Sequence, residues 1–380
     1  MLTRIANMSN MIRTIHPVGC GLFVTEYFRF SEKMVVYDCG RGKQLKERDF
    51  FRLVDAALSP TRHIDYLFIS HFDADHINGI EYLIKQQYIN NRTNVYLPLV
   101  SRQQVQIYED VLGMWHFREI FHLLLESKVT LIPIRPEESV ENQFDWNPVE
   151  ELRSLNTAGS GEIITFDKFW EYIPLYIQED IVSNEFKDFL IKRKFPIEKL
   201  YAFQQMDEEE RSLLKQAYQD FKGGENYHNR KMAPTPINMN AMMLISKPVE
   251  ELFNNVFSLF YHRFRHQDNF PHYGLVNNAS CVYTSDVGLA ESQFLDRMVM
   301  QVKKILPNEI GLFQIPHHGS YKCYTKEIYS RLRINAIFIN GDTHSTNPAL
   351  CADIVDDAWQ YHIPFAIVDV IHALQQYFVW

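Results

Sequence analysis

Four side chains able to bind a metal fall within six residues at His71-Phe72-Asp73-Ala74-Asp75-His76. Imidazoles and carboxylates together suit borderline and hard divalent cations. They converge on one point only if a tight loop turns them the same way, and residues 64–70 just before them read as a short buried strand feeding such a loop. Two further groups share this setting. Asp286 follows the apolar run 280–285, and His317-His318-Gly319-Ser320 follows the run 309–316. A lone acid at a strand end is ordinarily a turn former or a helix cap. Three such groups, each at the C-terminal end of a strand, instead describe one rim of a sheet, where sites form. Together they predict a dinuclear metal site, with a carboxylate such as Asp286 bridging two cations.

The elements that must position these groups follow an α/β rhythm. A hairpin over 18–38, built from strands at 18–24 and 33–38, ends in Asp38-Cys39-Gly40-Arg41-Gly42, a turn with permissive glycines. A helix over 48–58, the strand 64–70, a helix over 80–87 and a strand at 95–98 complete a first half, 12–100. Residues 101–235 break the rhythm. Helices are expected at 103–108, 116–126, 176–193 and 208–223, with strand-like pieces at 129–134 and 162–166, so this stretch reads as a mostly helical insertion or lid. The alternation returns over 236–380, with strands at 238–245, 280–285, 309–316, 336–340, 364–370 and 374–380. Helices at 290–305, 325–332 and 349–361 separate them, and a polar and aromatic excursion occupies 247–278.

A formal net charge of −9 opposes a broad phosphate-binding face, although a local basic cleft is compatible with it. The 27 Phe and 20 Tyr imply a well-filled core or, as the lesser reading, an aromatic-lined surface. Cys20, Cys39, Cys281, Cys323 and Cys351 form no CxxC pair and no disulfide framework, which fits a reducing compartment. No stretch reaches the roughly 18 apolar residues of a membrane span, so a cytoplasmic chain without membrane association is expected.

The pattern His-x-Asp-x-Asp-His after an apolar strand resembles the metallo-β-lactamase signature His-x-His-x-Asp-His, with Asp73 in the place of the second histidine. Joined to Pro316-His317-His318-Gly319-Ser320 and Val36-Tyr37-Asp38-Cys39-Gly40, it is similar to the ComEC-type hydrolase domain of bacterial DNA-uptake channels, over residues 12–98 and 237–380. The resemblance implies an αββα sandwich with metals at one edge. It implies that His71 and Asp73 bind one metal and Asp75 and His76 the other, with Asp286 bridging and His317 or His318 completing the shell. Asp38 would support the ligand loop, with Ser320 also close to the site. Two departures stand out. Where the family has Asn-x-Tyr-Gly-His-Pro, this chain has Asp342-Thr343-His344-Ser345-Thr346-Asn347-Pro348, so that Asn347 replaces a histidine and His344 is the candidate for its role. The chain also lacks the channel's membrane segments, so transport is not expected of it.

Asp73 adds a hard oxygen ligand and a negative charge, shifting preference from zinc toward manganese or magnesium. The implied chemistry is hydrolysis by a hydroxide held between two divalent cations about 3.5–4 Å apart, with Asp75 and His344 as catalytic candidates. A phosphodiester substrate, nucleic acid or nucleotide, is expected from the resemblance and from basic-aromatic patches at 41–48, 228–231 and 261–266. The alternative is a small-molecule hydrolase acting on a lactone, thioester or phosphoester. A third reading is a non-catalytic regulatory or binding protein, docking a partner through 101–235.

Overall fold

The apolar runs that punctuate the sequence assemble, in the computed structural model, into two sheets packed face to face. The structure describes residues 9–113, 116–137, 152, 155–178, 182, 184–202, 205–223, 240–252, 256–262, 273–276, 278–320, 323–341 and 349–380. The first sheet has the order β12-β11-β17-β1-β2-β3-β4-β5-β6-β7. Its strands are β1 (Met11–Ile15), β2 (Phe23–Phe28), β3 (Lys33–Cys39), β4 (Tyr66–Phe68), β5 (Asn94–Pro98), β6 (Thr130–Arg135), β7 (Ala158–Gly159), β11 (Phe257–His262), β12 (Tyr273–Val276) and β17 (Leu374–Val379). The second has the order β16-β15-β14-β13-β10-β9-β8. Its strands are β8 (Ile164–Phe166), β9 (Trp170–Leu175), β10 (Met243–Pro248), β13 (Cys281–Tyr283), β14 (Leu312–Ile315), β15 (Ile337–Asn340) and β16 (Phe365–Val368).

Side-chain alternation along each strand feeds two different layers. On β3, Val35 and Tyr37 enter the core between the sheets, while Met34 and Val36 face a layer of helices. On β10, Leu244 points between the sheets and Met243 and Ile245 point outward. The helix Glu47–Leu58 buries Phe50, Val54 and Leu58, spaced four apart, against the first sheet. That spacing gives one apolar stripe, and each of these side chains contributes about 1.5–3 kcal/mol of burial. Phe294, Leu295, Met298, Val299 and Val302 of the helix Ser292–Ile305 cover the second sheet in the same way. The layers are therefore helix, sheet, sheet, helix: an αββα sandwich.

A polar knot is sealed between the sheets. Arg13, fully buried, donates to Glu26 Oε1 at 2.6 Å, Gln376 Oε1 at 2.7 Å, Ser246 Oγ at 3.0 Å and the Ala279 carbonyl at 3.2 Å. Glu26 in turn accepts from Tyr172, Tyr283 and Ser246. Every charged atom has a partner, which is the condition under which a buried ion pair is tolerated.

Several elements differ from the sequence expectation. β1 was not anticipated, and the strand expected at 18–24 begins only at Phe23. The strand expected at 238–245 lies at Met243–Pro248. The helix expected over 176–193 spans Asn184–Lys192, and β9 precedes it. Pro174 denies the β9 segment a helix interior, and its sides separate into Trp170 and Tyr172 facing the inter-sheet core, and Ile173 and Leu175 facing outward. Among the described residues of 101–235, the helices Phe117–Glu126, Asn184–Lys192 and Glu208–Gly223 accompany strands that belong to the sandwich: β6 and β7 extend the first sheet and β8 and β9 the second. Within the excursion 247–278, β11 pairs with β17 and β12 with β11. Among the described residues, no helix is long and apolar enough to cross a membrane.

Candidate metal centre

β3 and β4 are parallel neighbours, as are β13, β14 and β15, so residues just past their C-terminal ends gather at one rim. After β4 the chain runs through Ser70 and His71 into the single helical turn Ala74–Ile77, which carries Asp75 and His76. The end of β3 clamps this turn. Gly79 N–H donates to the Cys39 carbonyl at 2.8 Å, and Leu22 N–H donates to the Asp75 carbonyl at 3.2 Å. The clamp requires glycine at position 40, where a Cβ would stand 2.0 Å from the Asp75 carbonyl oxygen and 2.4 Å from His76 N.

Four non-glycine residues at this rim hold left-handed backbone: Asp38 (φ 53°), Ser285 (φ 53°), His317 (φ 48°) and His318 (φ 55°). Such conformations cost on the order of 1–3 kcal/mol each and persist where the surroundings over-determine them. Here hydrogen bonds do so. The buried Asp38 carboxylate accepts from Ser70 N–H at 2.7 Å, Ser70 Oγ at 2.6 Å and His76 Nδ1 at 2.8 Å. Gln314 Oε1 accepts from the N–H groups of Thr284 and Ser285, both at 3.0 Å. His317 N–H donates to the Ser285 carbonyl at 2.9 Å.

These contacts fix how two imidazoles present themselves. A carboxylate only accepts, so His76 carries a proton on Nδ1 toward Asp38, which leaves Nε2 as the atom that would exchange a proton for a cation. Ser70 Oγ gives its proton to Asp38 and accepts from Ser285 Oγ at 2.7 Å, which leaves its remaining lone pair for His71 Nδ1–H at 2.9 Å. His71 therefore turns its Nε2 lone pair inward. Behind His318, Nδ1 lies 3.0 Å from the Asn340 carbonyl and 3.1 Å from its side-chain amide. Behind His317, Nδ1 lies 3.0 Å from Cys323 Sγ.

The inward atoms converge. His76 Nε2 lies 3.3 Å from Asp286 Oδ1 and His318 Nε2 lies 3.6 Å from the same oxygen, while His318 Nε2 is 3.3 Å from Asp75 Oδ2. His71 Nε2 is 3.7 Å from Asp73 Oδ2 and 3.9 Å from Asp286 Oδ2, and His317 Nε2 is 3.8 Å from that oxygen. The Nε2 atoms of His71, His76 and His318 and Oδ1 of Asp73 are buried without a well-aligned hydrogen bond, an expensive state unless a further ligand is bound. Donors on a tetrahedral cation at about 2.0–2.1 Å stand about 3.4 Å from one another. The observed separations of 3.3–3.9 Å fit that requirement. The triples His71, His76, Asp286 and Asp75, His76, His318 each bring their donor atoms close enough to hold an ion.

Electrostatics agree with the geometry. Burial opposes ionisation of Asp286, yet the imidazoles of His317, His76 and His318 hold its carboxyl well below the usual range. Burial likewise opposes ionisation of Asp75, but contact with His318 and His76 brings it down to about 2. Burial disfavours the protonated form of His76, and Asp286 and Asp38 outweigh it, raising the group; His318 is raised by Asp286 and Asp75 against the same opposition. His317 is lowered, burial prevailing over Asp286. The cluster is an anionic nest that favours positive charge. Its solvent side is marked by Asp75 and His317, whose side chains are 36% and 30% exposed, against 4% for Asp286 and none for His71 or His76.

Of the residues singled out in the sequence, His71, Asp73, Asp75, His76, Asp286, His317 and His318 are brought together, with Asp38 directly behind His76. Ser320 contributes backbone, its N–H donating to the His317 carbonyl and its carbonyl accepting from Cys323 N–H. His344 and Asn347 lie outside the described residues, as do the patches 228–231 and 263–266. Ser70, Ser285, Gln314, Cys323 and Asn340 were missed as supports. A single polar residue inside an apolar strand, as Gln314 is in Leu-Phe-Gln-Ile and Asn340 in Ile-Phe-Ile-Asn, was the available signal.

No family model matches the sequence, and no curated protein matches it significantly. Among solved structures, the metallo-β-lactamase fold protein YhfI from Bacillus subtilis is similar to 96% of this chain and 99% of its own, at 9% identity and a TM-score of 0.35. The layers and rim of this chain are those of an αββα protein with a His/Asp cluster compatible with metal binding.

Proposed function

We propose that this chain is a metal-dependent phosphodiesterase acting on nucleic acid or a nucleotide, with two divalent cations, manganese or zinc, in the rim cluster. The observation that carries the reading is the convergence of inward imidazole Nε2 atoms on the Asp73, Asp75 and Asp286 carboxylates, with the rings held from behind. Bound cations would supply Lewis acidity, bringing the pKa of water from 15.7 toward about 7 and offsetting charge on a phosphoryl oxygen. The residues supply everything else. Asp38 and Ser70 set the tautomers of His76 and His71, and Asn340 holds His318. Asp75, ionised at neutral pH on the open side, can hold a water by its proton.

Support for a phosphate substrate comes from the loop after β3. Gly40 touches the Asp75–His76 backbone, and the exposed Lys43 and Lys46 follow within six residues, in no ion pair among the described residues. Cations beside an anionic cluster suit a substrate that carries its own negative charge past it. The ComEC-type resemblance of the motifs points the same way. The net charge of −9 favours the second reading, a small-molecule hydrolase. Incubation with labelled single-stranded DNA and RNA in Mn²⁺, Mg²⁺ or Zn²⁺, beside an Asp75→Ala control, separates the two. Cleavage with a salt-dependent affinity is expected; no cleavage with any metal, or cleavage undiminished in the control, refutes the proposal.

A further inference from the structure

We infer that the end of the second sheet remote from the metal rim carries a separate groove that holds single-stranded nucleic acid. β14, β15 and β16 are parallel, so the segments that lead into them lie together at the end opposite His317 and Asn340. There the segments 306–310, 329–334 and 361–363 enclose a groove of about 580 Å³, within the size range of ligand pockets. Its floor is apolar and buried, made by Leu306, Ile310, Tyr329, Leu332 and Ile334. A parallel bridge between Ile310 and Ile334 fixes the backbone beneath, with Ile310 N–H donating to the Arg333 carbonyl at 2.8 Å and Asn335 N–H to the Ile310 carbonyl at 2.9 Å. From Ile310 the chain runs through β14 to His317, about 20 Å of extended backbone. The groove is thus distinct from the metal cluster.

The charge around this floor is uneven. Lys303, Arg331 and Arg333 line the groove against one carboxylate, Glu309, and Glu309 Oε2 already accepts from Asn335 Nδ2 at 3.1 Å. Arg331 shares its charge with Asp296 at 2.6 Å. Lys303 and Arg333 are exposed and enter no ion pair among the described residues. Helix ends call for a cation in their last turn, which suits Lys303 and Arg331; they do not call for a third at Arg333, past the cap of Glu327–Arg331. On a chain of net charge −9 such a local excess selects an anion. The aromatic residues say which kind. Tyr361 lines the groove with 41% of its surface exposed, its ring tilted against Tyr329 at 5.2 Å, and Trp359, just before it in the chain, is 68% exposed. Unpaired cations beside exposed aromatic rings serve backbone phosphates and stacking bases together. An acidic peptide would engage the cations and leave the two rings exposed.

Binding is measured in EDTA, which separates it from cleavage. A fluorescent single-stranded oligonucleotide is titrated with the full chain and with its Lys303→Glu/Arg333→Glu, Tyr361→Ala and Trp359→Ala variants, and anisotropy is followed over a range of salt. The charge reversals should weaken binding at least about tenfold and flatten the slope of log affinity against log salt by about 1.4, the value for two phosphate contacts on a single strand. Each aromatic replacement should weaken it at least about fivefold and leave the slope unchanged. Circular dichroism and thermal melts show that the variants are folded, and Lys303→Gln/Arg333→Gln stands in where charge reversal disturbs folding. Folded variants with the affinity and slope of the unsubstituted chain overturn the inference. So does displacement of the oligonucleotide by a poly-glutamate peptide or a mononucleotide at equal concentration, since the groove would then read charge alone or a single nucleotide. If the unsubstituted chain binds no oligonucleotide in EDTA, the groove inference fails, while the phosphodiesterase reading stands or falls separately on metal-dependent cleavage.

Discussion

Replacing Asp38 by Asn changes almost no volume and yet should disarm the cluster from behind. The carboxylate is fully buried and accepts three hydrogen bonds of 2.6–2.8 Å. An asparagine oxygen can still accept from Ser70 N–H, but its amide nitrogen must then face Ser70 Oγ and His76 Nδ1. Both lone pairs of Ser70 Oγ are already taken by Ser285 Oγ and His71 Nδ1. The new donor therefore has only His76 Nδ1 to bond, which moves the His76 proton to Nε2, the atom that faces Asp286 at 3.3 Å. Nε2 carrying a proton cannot ligate a cation. The lost charge-assisted bond is worth about 1.5–3 kcal/mol, and restoring the ligating tautomer draws on that energy. A 10–100-fold weakening of metal affinity follows, the range typical when a group behind a ligand is removed. Competition of Zn²⁺ and Mn²⁺ against a chromophoric chelator measures it, and thermal melts of the metal-free proteins show whether the fold survives. An Asp38→Asn protein that is folded and binds metal with unchanged affinity would refute the tautomer argument.

Gly40→Ala places a methyl within 2.0 Å of a main-chain oxygen, and is expected to cost about 1–3 kcal/mol in urea unfolding and to weaken metal binding. Gly113→Ala, at φ 61° with nothing within 4 Å of the added carbon, should cost only the left-handed strain of about 1–2 kcal/mol and leave metal affinity untouched. Arg13→Met strands Glu26 between the sheets and should cost about 3–5 kcal/mol in the same assay, most of it recovered in Arg13→Met/Glu26→Gln. His16 is buried against Phe23 and Thr25, and burial lowers its pKa to about 3. Above pH 6.5 it is neutral whether folded or unfolded, and below that only the unfolded chain takes up the proton. Stability should therefore fall by about 2 kcal/mol more in the natural chain than in His16→Gln between pH 7 and pH 5. Equal pH slopes in the two proteins would contradict the buried neutral imidazole.

The candidate ligands were legible because each sits where an apolar run stops, and a run of that kind needs no partner to be recognised. The supports behind them were not. Asn340 meets His318 across 22 residues and Ser285 meets Ser70 across 215, and local pattern carries no trace of such meetings. Arg13 shows the same limit. In Met-Ile-Arg-Thr-Ile it has the look of a solvent-facing residue on an edge strand, but β1 lies between β2 and β17, and its partners are 13 and 363 residues away. Within 101–235 the helices were visible from periodicity, whereas β7 and β8, of two and three residues, are too short to show a period of two.

What the sequence could show least is that the chain places strain where its chemistry lies. Asp38, Ser285, His317 and His318 hold an unfavourable backbone at the ends of three strands that converge on one rim. Asp38, Ser285 and His317 are locked by hydrogen bonds that do not involve the inward-facing atoms: three to the Asp38 carboxylate, two to Gln314 Oε1 from the N–H groups of Thr284 and Ser285, and one from His317 N–H to the Ser285 carbonyl. The orientation of His71 and His76 is thus decided by Asp38 and Ser70, and the paired approach of His317 and His318 by the turn that carries them. A cation arriving at such a site finds donors already at coordination spacing and needs little rearrangement of the chain, which is the form in which binding energy remains for a substrate.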